Sequence, residues 1–216
     1  MAIHISPGPL KGHVHIIGSK SLSHRSVIAA SLARGVSQIE GVMDAEDLDA
    51  TRMILEALGA RFEKDRVEGP LDFNAHTLLN AKASGSTLRF LIPLLLTQTK
   101  RFVITGEERL PYRSLMTYQT LCQDHGMDFK PLEEGRWLPL EIEGPLKPGV
   151  FHLDGSISSQ FISGMLFALP LLEGDSTIRM TTPLTSKPYV DMTIDVLKTF
   201  GIDILTTNKG FHIKGR

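Results

Sequence analysis

The residues best suited to chemistry lie in three hydroxyl-rich stretches. Gly18-Ser19-Lys20-Ser21-Leu22-Ser23-His24-Arg25 sets serines between two fixed cations. It follows an alternating run, Lys11 to Ile17, and precedes an apolar helical run, Val27 to Leu32. A strand is therefore predicted to lead through a tight turn into a helix. The first amides of a helix lack internal partners and sit at the positive end of its dipole. Hydroxyls and cations at that point suit an anion, most simply a phosphate or a carboxylate. Taken alone, the stretch equally fits a capped helix with solvated charges. Ser84-Gly85-Ser86-Thr87-Leu88-Arg89 and Gly155-Ser156-Ile157-Ser158-Ser159-Gln160 repeat the pattern before apolar runs at Leu88–Leu96 and Phe161–Leu169.

Other polar groups fit around these turns. Arg89 falls in the first turn of its predicted helix, where a cation opposes the dipole, so a ligand or a buried carboxylate is expected beside it. Arg109, in the loop Gly106 to Pro111, and Ser186, before Pro188-Tyr189, sit at matching strand-to-helix loops. Ser186 is a candidate N-cap or phosphate donor. His13 and His15 alternate on one predicted strand face with no third ligand nearby, so they read as strand histidines and not as a metal site. Asp44, Glu46, Asp47 and Asp49 read as a helix start, and Cys122 as core. No carboxylate pair and no Ser–His–Asp set stands out as acid and base. The residues suit binding an anionic small molecule better than transforming it.

The elements that must position these groups recur. Each unit reads strand, turn, apolar helix, strand, amphipathic helix, strand, with a period of roughly 65–75 residues. The helix ends Leu58-Gly59, His125-Gly126 and Phe200-Gly201 keep the same order. Predicted helices run from Ser23 to Arg34, over the segment before Gly59, from Pro111 to Gly126 and from Pro188 to Phe200, besides the two apolar runs. Pro93 is expected to kink or shorten its helix. A strand is predicted over Ile3 to Ile17, broken at Pro7-Gly8-Pro9. Helices that are apolar all round must be buried on every side. The expected fold is α/β (α+β): three units, about 17–70, 71–145 and 146–216, in a pseudo-threefold arrangement with buried helices inside and sheets outside. The equivalent helix starts then face one region, which favours a shared anion site over plain capping.

The totals narrow the function classes. A chain of 216 residues, 42% hydrophobic and 22% charged, has enough apolar residues for a core. Its net charge of −1 argues against blanket neutralisation of nucleic-acid phosphates. One cysteine allows no internal disulfide or cysteine metal cluster. The first residues lack a basic region and long apolar core of the secretory type, and no apolar run approaches the roughly 18 residues of a membrane span. A cytoplasmic protein is expected, with neither nucleic acid nor membrane as partner.

Gly18 to Arg25 closely resembles the opening signature of the 5-enolpyruvylshikimate-3-phosphate (EPSP) synthase family. Gly85-Ser86-Thr87-Leu88-Arg89, Gly106-Glu107-Glu108-Arg109, Ser158-Ser159-Gln160-Phe161 and Ser186-Lys187-Pro188-Tyr189-Val190-Asp191 match further family motifs in order. The related UDP-N-acetylglucosamine enolpyruvyl transferases have a different opening motif and a loop cysteine, which Cys122 does not match. The resemblance implies transfer of the enolpyruvyl group of phosphoenolpyruvate to the 5-hydroxyl of shikimate 3-phosphate, without metal or organic cofactor. It implies that Ser21 and Arg25 hold shikimate 3-phosphate, that Lys20 lies between the substrates and that Ser158, Ser159 and Ser186 bind the phosphate, with Gln160 over the ring. Arg109 would grip phosphoenolpyruvate, and Gly85 would line that pocket, leaving room there for the family's inhibitor glyphosate. Tyr189 and Arg89 are lesser candidates.

The match has departures. Ala83 replaces a usual asparagine, and Ser114 follows Arg113 where proline is usual. Family members are about twice as long, with two similar domains that close over the substrates, and the proton-transfer residues belong to the second. The resemblance thus implies an N-terminal half, residues 17–216 forming the shikimate-3-phosphate-binding domain, with no catalytic acid or base of its own. Residues 1–16 would belong with the other half. A stand-alone anionic-ligand-binding module is the alternative; an enzyme acting on RNA ends fits the near-neutral charge poorly.

Overall fold

Ser19, Ser84 and Ser158 each end an extended stretch and accept a hydrogen bond on the side-chain oxygen, from the amides of Leu22, Thr87 and Gln160 respectively. Each thereby satisfies one of the free amides at a helix start. The expected hydroxyl-rich turns are therefore mostly the caps and first turns of helices. The computed structural model describes every residue except 1, 2, 5–7, 10, 15 and 74–76. In chain order, the first unit holds α1 (Lys20–Leu32), β1 (Gly35–Gln38), α2 (Glu46–Ala57), β2 (Arg61–Glu63) and β3 (Arg66–Gly69). The second holds β4 (Leu78–Asn80), α3 (Gly85–Leu96), β5 (Arg101–Thr105), α4 (Met116–His125), β6 (Asp128–Pro131) and β7 (Leu140–Glu143). The third holds β8 (Val150–Leu153), α5 (Ser159–Ala168), β9 (Ser176–Met180), α6 (Lys187–Thr199), β10 (Ile204–Thr207) and β11 (Gly210–Ile213).

Each unit builds its own sheet. The second and third sheets share one plan, β4-β5-β7-β6 and β8-β9-β11-β10, with the first pair parallel and the rest antiparallel. The first sheet, β1-β3-β2, has the antiparallel part of that plan. Strands alternate: in β5, Phe102 and Ile104 point into the core while Arg101 faces solvent, as expected of a sheet with one wet face. The β6–β7 hairpin was not predicted from the sequence, because Pro131, Pro139 and Pro145 punctuate a weak alternation there.

α3 and α5 pack against each other, with α2 and β7 also against α3 and α6 against α5. Every α3 residue except Ser86 and Arg89 is buried, and every α5 residue except Gln160. Pro93 does not end α3. Having no N–H, it leaves the carbonyl of Arg89, four residues earlier, without its helical partner. The buried Tyr118 hydroxyl of α4 donates to that carbonyl at 2.6 Å.

Two expectations are corrected. The described residues within 3–17 form no strand, and Ile3, Val14, Ile16 and Ile17 are exposed. An alternating segment becomes a strand only against a partner edge. His13 is accordingly exposed coil, and His15 lies outside the described residues. The helix expected from Pro111 instead begins at Met116. A short 3-10 turn, Leu110–Tyr112, stops where Arg113 turns extended (φ −75°, ψ 124°).

Candidate functional site

One cleft of about 550 Å³ opens where five helix starts converge. Lys20, Ser21 and Arg25 come from α1, and Asp47 from α2. Gly85, Ser86 and Phe90 come from α3, Ser158, Ser159 and Gln160 from the start of α5, and Ser186 and Tyr189 from the start of α6. Ala83 and Arg113 complete the lining. Free amides and the positive ends of helix dipoles thus point at one volume. The structure brings together eight of the nine candidate residues: Lys20, Ser21, Arg25, Gly85, Ser158, Ser159, Gln160 and Ser186.

Arg109 is the exception. It is exposed at the start of the 3-10 turn and does not line the cleft. Arg113, four residues on, does. The extended backbone at Arg113 breaks the chain away from the helical path between Tyr112 and Met116. The sequence signal for it is a second arginine in the same loop, four residues after Arg109. A Cβ at Gly85 would lie 2.8 Å from Arg113 Nη1 and 3.1 Å from Arg89 Nη1. Glycine there leaves room for two guanidinium groups.

Arg25 forms the floor. It is 2% exposed. Nε donates to Thr193 Oγ1 at 2.7 Å and Nη1 to the Ser21 carbonyl at 2.7 Å; Nη2 donates to the Tyr189 carbonyl at 3.0 Å and reaches Ser163 Oγ at 3.4 Å. These bonds tie α1 to α5 and α6 and leave one of its five N–H groups, on Nη1, for a ligand. Burial lowers its pKa to about 10, so it stays charged at neutrality. Among the described residues no carboxylate forms an ion pair with it. A buried cation without a carboxylate leaves the floor of the cleft electropositive.

The other polar groups are held in place. Lys20 Nζ pairs with Asp47 Oδ2 at 2.7 Å in a partly exposed contact. Gln160 spans α5 and α3: Oε1 accepts from Arg89 Nη1 at 2.8 Å, and Nε2 donates to Ser86 Oγ at 3.0 Å. Arg89 itself lies over the Phe161 ring and donates to the Gln160 amide oxygen and, at 3.4 Å, to the Ser114 carbonyl; among the described residues no carboxylate forms an ion pair with it. Ser186 occupies the N-cap position of α6 but makes no side-chain cap bond, so its hydroxyl is uncommitted to the helix. The lining carries three cations, Lys20, Arg25 and Arg113, against one carboxylate, Asp47. Among the described residues no group of three or more His, Cys, Asp or Glu side chains is placed to hold a metal ion.

Burial, the nearest charges and the sign of the linkage make His24 a pH marker for this end of the molecule. Desolvation pulls its pKa from 6.5 to about 4; Asp47 opposes the shift, and Lys20 and Arg25 reinforce it. The unfolded chain therefore takes up this proton before the folded one does. The stabilisation is complete above pH 6.5 and is lost as pH falls from 6.5 to about 4, roughly 3 kcal/mol in all. Urea midpoints at pH 7.5 and 4.5 should differ by more in the parent chain than in His24→Asn. An identical difference in both would remove His24 from the account.

The comparisons with known proteins agree with one another. Residues 5–216 match the family described as EPSP synthase (3-phosphoshikimate 1-carboxyvinyltransferase). The 3-phosphoshikimate 1-carboxyvinyltransferase of Clostridium novyi is 41% identical over 99% of this chain and 52% of its own length. That of Clostridium acetobutylicum is 43% identical over 99% and 52%. The EPSP synthase structure from Acinetobacter baumannii superposes with a TM-score of 0.78 at 23% identity, covering 94% of this chain and 47% of its own. The chain spans about half the length of the curated relatives it matches.

Proposed function

This chain belongs to the EPSP synthase family, and we propose that it is the shikimate-3-phosphate-binding, N-terminal half of a cytoplasmic enzyme that transfers the enolpyruvyl group of phosphoenolpyruvate to the 5-hydroxyl of that substrate. The carrying observation is the convergence of five helix starts and three cations on one cleft with a single opposing carboxylate. In this reading Ser158, Ser159 and Ser186 take the phosphate, Ser21 and the free Nη1 hydrogen of Arg25 take further substrate oxygens, and Gln160 lies over the ring. Arg113, which lines the cleft beside Gly85, takes the place of Arg109 as the cation for phosphoenolpyruvate. Lys20, on the rim, lies between the two substrates.

The proposed partner is a second half that closes over the cleft and supplies acid and base. Exposed apolar side chains at Ile3, Val14 and Ile16 support assigning residues 1–16 to it. Without closure the cleft keeps its water, so substrate binding is expected without phosphate release.

Calorimetric titration with shikimate 3-phosphate tests this reading. Saturable binding that Ser158→Ala/Ser159→Ala weakens by about ten-fold or more supports it. Arg113→Ala should reduce binding of phosphoenolpyruvate in a preparation reunited with the second half, while Arg109→Ala leaves it unchanged. The reverse order would restore Arg109. Binding with no gain of turnover on adding the second half would favour a stand-alone anion-binding module.

A further inference from the structure

Behind the cleft wall lies a buried polar chain, His24, Thr51, Thr87 and Ser84, none of which lines the cleft. His24 Nδ1 lies 2.9 Å from Thr51 Oγ1, Thr51 Oγ1 lies 2.6 Å from Thr87 Oγ1, and Thr87 Oγ1 lies 2.7 Å from Ser84 Oγ. Ser84 Oγ in turn accepts the amide of Thr87 and so caps α3. All four residues are at most 1% exposed. The chain joins α1, α2 and the start of α3, the wall that carries Gly85 and Ser86.

We propose that His24 is a positioning residue: through Thr51 and Thr87 its imidazole fixes the first turn of α3, and with it Gly85 and Ser86, against α1 and α2. The hydrogen-bond order follows from the one group left over. His24 Nε2 is buried and has no partner among the described residues. An orphaned N–H is rarer and costlier than a bare lone pair, so the proton sits on Nδ1 and donates to Thr51. Each threonine hydroxyl has one hydrogen and two acceptors in reach: Thr51 has Thr87 Oγ1 at 2.6 Å and the Asp47 carbonyl at 3.3 Å, and Thr87 has Ser84 Oγ at 2.7 Å and the same carbonyl at 3.2 Å. The shorter contact is the stronger in each case, so with Nδ1 donating to Thr51 the chain runs through Thr87 to the cap. A leucine in place of His24 would fill much of the same apolar space without desolvating a ring nitrogen, but it would leave the Thr51 hydroxyl free to turn and the cap without a fixed orientation. The wall would then drift relative to Lys20 and Asp47, which face it from α1 and α2.

This inference deepens the proposed function, but its first test needs no ligand. Amide hydrogen exchange is measured at Thr87 and Leu88, whose amides bond to the Ser84 hydroxyl and carbonyl and so report the cap, in the parent chain, His24→Leu and His24→Asn, with Ile178 and Phe211 of the third sheet as internal controls. Asparagine places a side-chain nitrogen or oxygen near the imidazole Nδ1. His24→Leu should speed exchange at Thr87 and Leu88 by about ten-fold or more with the controls unchanged, and His24→Asn should restore the parent rates. Unchanged exchange in His24→Leu, or equal loss in both variants, would overturn the proposal. If His24→Leu does not fold, Thr51→Val, which keeps the shape and removes the middle hydroxyl, is read at the same amides against the same two outcomes. With shikimate 3-phosphate as probe, affinity should fall in His24→Leu by roughly ten-fold and recover in His24→Asn. A parent chain that fails to bind the probe counts against the proposed function, and the exchange result still decides the role of His24.

Discussion

Gly164→Ala is expected to destabilise this chain by about 3 kcal/mol, which for a chain of this size lowers the melting temperature by roughly 6–12 °C. A Cβ at Gly164 would lie 2.4 Å from the Arg89 carbonyl oxygen, 2.5 Å from the Tyr118 hydroxyl and 3.2 Å from Pro93 Cγ. Two of these are backbone or ring atoms of α3 and cannot swing aside. The third is the hydroxyl that satisfies the carbonyl freed by Pro93. A single methyl therefore separates the two central helices and also displaces the Tyr118 hydroxyl of α4 from the Arg89 carbonyl. Because the two effects share one contact, adding Tyr118→Phe to Gly164→Ala should cost less than the sum of the single changes. Denaturant unfolding of the four forms measures this. A Gly164→Ala variant within about 0.5 kcal/mol of the parent would mean that the helices are not packed at this distance.

Arg25→Met is expected to weaken binding of shikimate 3-phosphate by about 100-fold, with a loss of roughly 2 kcal/mol in the stability of the free chain. The binding loss is the larger effect because Arg25 is a cation held in a site of low polarity with no carboxylate to neutralise it. An anion arriving there meets a charge whose desolvation folding has already met. The stability loss is smaller because relief from the buried charge offsets the broken bonds to Thr193 and the Ser21 and Tyr189 carbonyls. Arg25→Lys should bind little better than Arg25→Met. An ammonium keeps the charge but cannot reach the α6 hydroxyl, the α1 carbonyl and the ligand from one fork. Titration calorimetry and melting curves of the three forms separate the terms. A lysine variant with parent affinity would show that charge alone suffices.

The fold was legible wherever short-range chemistry decides it. Ser19, Ser84 and Ser158 cap helices because a serine hydroxyl reaches an amide two or three residues on, in any tertiary setting. The all-round apolar character of α3 and α5 required burial on every side, and only Ser86, Arg89 and Gln160 escape it. Gln160 bonds to both Ser86 and Arg89, and Ser86 and Gln160 line the cleft, so the interruption of an apolar pattern carried part of the site as well as the core. The described residues within 3–17 form no strand, because alternation specifies a strand's two faces but not the edge it needs.

The sequence by itself determined that this chain is a mixed α/β protein with hydroxyls and cations at its helix starts, because caps, dipoles and periodicity act within a few residues. Only the tertiary structure decided which cations face the common volume. Arg109 and Arg113 are four residues apart in one loop, and the extended backbone at Arg113 chooses between them. The tertiary structure likewise decided that Arg25 is a buried keystone across α1, α5 and α6, and that His24 reaches Ser84 through two threonines. Those contacts join residues up to 168 positions apart, and no local pattern records them.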